Sequence, residues 1–264
     1  MRYRKAIVVG AAVAAIGLSS PFWWPTQAQE LKMAGFKRYP PDELFAGPQL
    51  ALAQAIHDGD LVRVKDLAPK TDLATLGNKK ASLLSFAVQE AIPVKTDSGN
   101  VRLQIVSELV RDGAKPEQSF GQNDDNVAHL AARADTPNLL KALLAGGMNP
   151  DLRYDGDTPL IFATCKDNLL PQLRALVEHK ANVNVHDSLK ETALYEATRL
   201  RQWDVVDYLL AHGADPTVKN DNGLTYAKVL SDELRQTPGN SPQLDRIEAI
   251  RKRVVAAGAH WPPA

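Results

Sequence analysis

The chain has 264 residues, of which 44% are hydrophobic and 23% are charged, and its 31 basic residues equal its 31 acidic residues. This balance argues against a nucleic-acid-binding domain, which needs clustered lysine and arginine to hold phosphates. The lone cysteine, Cys165, excludes an intramolecular disulfide, and we expect it to be a buried packing residue.

The N-terminal segment, residues 1–28, has the features of a secretory signal peptide. A basic start at residues 2–5 precedes an apolar run over residues 6–18, which is too short for a comfortable bilayer span. The small side chains of Thr26 and Ala28 favour cleavage after Ala28. We therefore predict a signal peptide over residues 1–28 and, because the chain has no disulfide, a location in a bacterial periplasm.

An uncleaved membrane anchor is the alternative for the same segment. Phe22, Trp23 and Trp24 would then lie at the membrane interface, where aromatic side chains are enriched. The rest of the chain is exported in either case. Without residues 1–28 it has 28 basic and 31 acidic residues, a net charge of −3.

Residues 29–48 are predicted to be an N-terminal lead-in that caps the first helix pair. Pro40-Pro41 and Gly47-Pro48 punctuate this segment. The terminal units of a stack need an outer face of their own, so a cap is the expected role.

One pattern is written twice between residues 156 and 216. Each copy has a helix start, an alanine (Ala163, then Ala197), a second apolar run and a turn. A repeat with a period of about 34 residues indicates stacked supersecondary units, since one helix pair cannot bury its apolar face alone.

The same frame extends in both directions. Toward the N-terminus the equivalent alanines are Ala131, Ala87 and Ala55, and the interval between Ala87 and Ala131 is longer than the others. The long interval predicts an insertion around residues 92–102, and Ala55 is assigned to a first half-unit. A last helix is predicted from about residue 243 to residue 257, which gives about six units including caps.

The T-P-L, A, V-x-x-L-L and G-A-D/N elements, all in register, resemble the ankyrin repeat. The resemblance implies an all-α solenoid of helix-turn-helix units with hairpin loops, here residues 49–264 with a C-terminal capping helix. Lys80 and Lys190 stand where the family usually has glycine, which leaves the geometry of those hairpin tips open.

The sequence contains no recognisable catalytic or cofactor motif. There is no nucleophile elbow, no phosphate-binding glycine loop and no zinc-protease motif, and the six histidines are spread along the chain. We therefore expect a protein that is not an enzyme and that has no cofactor, no metal site and no small-molecule substrate.

The ankyrin resemblance implies a protein partner bound on the concave face formed by hairpin tips and first helices. Tyr154 is the best anchor candidate, because aromatic and arginine residues carry much of the binding energy of interfaces. Trp203 is either a contact residue or packs on the next repeat. The predicted partner-binding residues are Arg133, Arg153, Tyr154, Asp155, Asp157, Lys166, Leu189, Glu191, Arg199, Leu200, Trp203 and Asp221.

A narrower resemblance concerns three segments, residues 43–60, residues 143–150 and the Trp261-Pro262-Pro263 ending. Together these are similar to exported ankyrin proteins that act as immunity partners of antibacterial lipase effectors of type VI secretion. The resemblance implies a one-to-one complex that occludes a phospholipase. The alternative is a periplasmic scaffold or stress-protection module that binds another exported protein.

Overall fold

A computed structural model of the protein describes residues 39–92, 100–121, 125–154, 157–165 and 169–263. The predicted signal peptide and most of the lead-in lie outside these residues. So does the greater part of the predicted insertion. Among the described residues, no helix combines the length and the apolar character that a membrane crossing requires.

Helices account for nearly all of the regular structure in the described residues. In chain order these are α1 (Pro41–Leu44), α2 (Gly47–Asp58), α3 (Leu61–Leu67), α4 (Leu83–Ala91), α5 (Val101–Arg111), α6 (Val127–Ala132), α7 (Asn138–Ala145), α8 (Leu160–Ala163), α9 (Leu170–Glu178), α10 (Ala193–Arg199), α11 (Trp203–Ala211), α12 (Tyr226–Gln236) and α13 (Leu244–Ala256). Two short antiparallel strands, β1 (Arg153–Tyr154) and β2 (Thr158–Pro159), form one hairpin.

The helices from α2 onward form six pairs in two rows. The first helices of successive units contact one another from α2 through α4, α6, α8 and α10 to α12. The second helices form the other row, from α3 through α5, α7, α9 and α11 to α13. Each pair therefore buries its apolar face against its neighbours, and the predicted ankyrin-repeat solenoid is confirmed.

The repeated alanines lie between helices, where a larger side chain would hold the helices apart. Ala55, Ala87, Ala131, Ala163 and Ala197 are all 3% exposed or less. The helix starts also repeat, since Ser82, Asn126 and Thr225 each accept a backbone N–H three residues later. The register predicted from the sequence is thus the register of the fold. Cys165 is fully buried, as expected.

Two details of the stack differ from the expectation or refine it. The segment around Ala55 was expected to be half a unit, but α2 and α3 form a complete pair because Gly59, with φ of 72°, closes α2 and Asp60 caps α3. The predicted insertion falls between α4 and α5, within one unit.

The hairpin tips that have lysine in place of glycine keep the left-handed backbone of a glycine turn. Lys80 has φ of 56° and Lys190 has φ of 60°. The Lys190 ammonium lies 2.6 Å from a carboxylate oxygen of Asp221 in the next hairpin. The substitution therefore leaves the turn in place and adds an ion pair to it.

Candidate protein-binding surface

Hairpins project from the stack at a constant interval. Their backbone pairing begins at Phe120, Arg153, His186 and Lys219, in strand β1 at Arg153 and in isolated bridges at the other three, which keeps the spacing of the repeat. We call the side formed by these hairpins and the first helices α6, α8, α10 and α12 the hairpin face. Neighbouring tips are bonded, since the Asp221 N–H donates to the Leu189 carbonyl at 3.0 Å.

Arg153 joins two successive hairpins. Its Nη1 donates to the backbone carbonyl of Asp157 at 2.6 Å and to the Asp157 carboxylate at 3.0 Å. Its Nη2 donates to the His186 carbonyl at 3.1 Å. Arg153 and Asp157 are therefore exposed residues of the hairpin face that also hold its spacing.

Tyr154 lies flat on an imidazole ring. Its ring and that of His129 on α6 are 4.1 Å apart at an angle of 15°. Both residues are half-buried, and Arg133 is exposed at the end of the same helix. A ring that is already held by stacking, and that keeps part of its surface in solvent, offers apolar area to a partner and loses little side-chain entropy on binding. An interface anchor needs these properties.

Glu191 is nearly buried and fully paired. It is 8% exposed, Arg199 donates to both of its carboxylate oxygens, and the Asn220 amide donates to Oε1 at 2.8 Å. The Arg199 hydrogen bond holds the pKa of Glu191 below its usual range against the opposing effect of burial, and Asn220 adds to the lowering. Glu191 is thus a positioning residue for Arg199 rather than a contact residue.

The same carboxylate influences the phenol beside it. Burial raises the pKa of Tyr195 to about 12, and the charge of Glu191 adds to this effect. The Tyr195 hydroxyl donates to the carbonyls of Val218 and Leu224, at 2.6 and 3.0 Å. It is therefore a neutral donor that fastens the last hairpin to α10.

A cavity of about 570 Å³ opens beside this cluster. It is bounded by α10, α12 and the last hairpin, and we call it the last-hairpin cavity. Its lining residues are Glu191, Arg199, Lys219, Asn220, Asn222, Gly223, Leu224, Thr225 and Lys228. Two exposed leucines stand close in the chain to lining residues of the cavity. Leu189 is 50% exposed and precedes Glu191, and Leu200 is 38% exposed and follows Arg199.

Of the predicted contact residues, Trp203 is, like Glu191, buried in the structure. It is 4% exposed and its indole nitrogen donates to the Gln243 amide oxygen at 2.6 Å, just ahead of α13. Packing on the next unit, one of the two alternatives for this residue, is the observed one. Asp155 and Lys166 lie outside the described residues.

The sequence analysis missed Lys219, Asn220 and Lys228. The repeat frame could have found Lys219, which takes the position of Arg153, and Lys228, which takes the position of Tyr195. Asn220 could not be found in that way, because its role depends on a side-chain bond to a residue 29 positions away. Within the described residues, no three histidine, cysteine or acidic side chains cluster as metal ligands would.

Comparisons with known proteins agree with this architecture. A family model for ankyrin repeats, in three copies, matches residues 87–187 and 128–220, together just over half of the chain. A solved ankyrin repeat domain from Acinetobacter baumannii AYE superposes with a TM-score of 0.56 over 79% of this chain and 98% of that chain, at 19% identity.

Two sequence relatives match shorter parts. Protein PhlB of Serratia liquefaciens is 32% identical over 158 residues, 58% of this chain and 64% of PhlB. Alpha-latrocrustotoxin-Lt1a of Latrodectus tredecimguttatus is 25% identical over 182 residues, 62% of this chain but only 13% of the toxin. Because the ankyrin-repeat family model matches just over half of its residues, this chain belongs to the ankyrin-repeat family.

Proposed function

We propose that this protein is a periplasmic immunity protein that binds and neutralises a cognate antibacterial effector of type VI secretion, a phospholipase or lipase. The observation that carries the proposal is the hairpin face, which combines a stacked tyrosine, exposed leucines and a charged cavity on one side of a rigid stack. Ankyrin repeats mediate protein–protein interaction, and the fold is typically a non-enzymatic scaffold.

Inhibition of this kind needs no chemistry from the inhibitor. A one-to-one complex that buries about 800 Å² on each partner is enough to cover a substrate entrance or a membrane-docking surface. The hairpin face offers Tyr154, Leu189 and Leu200 as apolar contacts beside arginines, a composition that suits such an interface.

The N-terminal segment of the narrower resemblance also has a clear place. Leu44 and Phe45 are each 3% exposed, and the Phe45 ring meets Phe86 of α4 edge-on with centroids 5.7 Å apart. Leu44 and Phe45 therefore pack against the first units of the stack.

The test is co-expression with the product of the neighbouring gene, directed to the periplasm of a bacterial host. We expect that product to arrest growth alone, and we expect this protein to restore growth and to co-purify with it in a one-to-one complex. Arrest without rescue or complex would refute immunity against that product. A stable complex with a harmless neighbour would instead favour the scaffold function.

Interface mapping then begins at Tyr154. Replacing Tyr154 with alanine removes the ring that stacks on His129, and we expect the complex to weaken by about tenfold or more. The matched control is Tyr208→Ala, which removes a ring stacked on His212 in the other row of helices. Equal affinities for both variants, measured by calorimetry on folded proteins, would place the interface elsewhere.

A further inference from the structure

We propose that the last-hairpin cavity receives an acidic loop of the protein partner. The inference rests on the proposed function in one respect only, namely that a protein binds the hairpin face. It adds the position of a recognition pocket and the charge of the segment that enters it.

The cavity lies between the fifth and sixth units, since Glu191 and Arg199 of the fifth line it together with Lys219 and Lys228. In the fifth unit, Tyr195 reaches the carbonyls of Val218 and Leu224 in the following hairpin. Lys228 occupies the same position one repeat later, in the sixth unit, and lines the cavity.

Lys219 takes the hairpin position that Arg153 takes two repeats earlier. Arg153 donates across to the carbonyl of His186 in the next hairpin. Lys219 is exposed and, in the part of the chain that the structure describes, forms no ion pair. Two lysines thus stand at positions whose earlier counterparts bond to a following hairpin.

The lining of the cavity is basic although the exported chain carries a net charge of −3. Arg199, Lys219 and Lys228 line it together with one carboxylate, that of Glu191, which is enclosed by Arg199 and Asn220. Asp232 lies 2.8 Å from the Lys228 ammonium and offsets part of its charge. The remaining positive potential complements a segment with carboxylate side chains.

The cavity also has an apolar neighbourhood. Leu224 forms part of its wall. Leu189 and Leu200 are exposed, and they stand close in the chain to the lining residues Glu191 and Arg199. Gly223, with φ of 75°, has nothing within 4 Å of the place where a Cβ would stand. A loop that carries glutamate or aspartate between apolar residues would therefore place its carboxylates near the lysines and its apolar side chains near the leucines.

The proposal is tested with a defined probe that does not depend on the effector. The probe is a capped short peptide with two central glutamates flanked by leucines, and its control has glutamines in their place. Titration into the isotopically labelled protein at low salt should shift the amide signals of residues 219–228 saturably. Lys219→Glu and Lys228→Met should each weaken binding by about tenfold, and Lys141→Glu, an exposed lysine on α7, should leave it unchanged.

Three outcomes would overturn the proposal. The glutamine peptide could bind as tightly as the glutamate peptide, or both cavity variants could bind the glutamate peptide as tightly as the unchanged protein. The third outcome is displacement of the peptide by inorganic phosphate at the concentration at which phosphate itself binds the cavity, which would indicate a general anion site. The outcomes also separate the two proposals. Peptide binding without growth rescue would remove immunity and keep the pocket. If the Lys219→Glu variant binds no peptide but still rescues growth and forms the complex, immunity would be kept and the pocket would be removed.

Discussion

The carboxylate of Glu191 shows how one nearly buried charge stabilises the hairpin face. Because the Arg199 hydrogen bond lowers the pKa of Glu191 in the folded state, ionisation of this group favours folding above its ordinary value of 4.5. That contribution is lost as the pH falls through the lowered pKa of the folded state. Acid should therefore loosen the contact between α10 and the last hairpin.

Replacing Glu191 with glutamine removes the charge and keeps the volume. We expect the free energy of unfolding at pH 7 to fall by about 1–2 kcal/mol, a range reduced because Arg199 is partly exposed. Urea unfolding at pH 7 and at pH 3 measures the difference, which should shrink in acid as the wild-type carboxyl becomes protonated. The control is Asp66→Asn, which breaks an exposed pair with Lys70 and should change little. A difference independent of pH would contradict the role given to the charge.

Lys180 offers a second test at the level of one residue. It has φ of 71° in a turn where the other units have Gly113, Gly147 and Gly213, with φ of 105°, 101° and 87°. Lys180→Gly should therefore raise the free energy of unfolding by about 0.5–1 kcal/mol, since a side chain is strained in this region.

The control for that substitution changes a lysine of ordinary backbone. Lys141 is exposed within α7, and Lys141→Gly should cost about 1 kcal/mol because glycine is a poor helix former. Thermal unfolding of both variants gives the comparison. Loss of stability in both would mean that Lys180 makes a contribution that outweighs its backbone strain.

At the level of helices, the tight approach of successive units depends on the small residue at one position. Ala163 on α8 is 3% exposed between its neighbours. Ala163→Asp would bury an unpaired carboxylate, and we expect the central units to lose their cooperative structure. Ala145→Asp, at an exposed position on α7, should leave the fold intact. Hydrogen exchange and circular dichroism distinguish the two, and a fully folded Ala163→Asp protein would refute the register.

The elements were predictable to the extent that they depend on local pattern. Alanine spacing indicated the register, and the caps at Ser82, Asn126 and Thr225 mark helix starts that a sequence displays. The surface was less predictable. Glu191 was predicted to contact a partner, but it is buried beside Arg199 and Asn220, and Asn220 is 29 positions away. For Trp203 the sequence left contact and packing open, and its bond to Gln243, 40 positions away, accompanies packing.

On the scale of the whole molecule, the stack is a row of nearest-neighbour contacts that must be closed at each end. The last helix that the structure describes is α13, and its Ile247, Ile250 and Val254 are fully buried. Asp207 of α11 accepts from both Arg246 and Arg253 of this helix, at 2.7 Å each. The last helix is therefore joined to the stack by an apolar seam and by an ion-pair network at its edge.

Deleting residues 241–264 should expose the apolar faces of α11 and α12. Reburying the three aliphatic side chains alone contributes roughly 5–9 kcal/mol, which is comparable with the total stability of a domain. We expect the truncated protein to lose hydrogen-exchange protection in its last two units first, and to self-associate on size-exclusion chromatography. Deleting only residues 262–264 is the control and should leave both properties unchanged. Full protection of α11 and α12 in the longer deletion would mean that the stack ends stably at α12 and that α13 is not its cap.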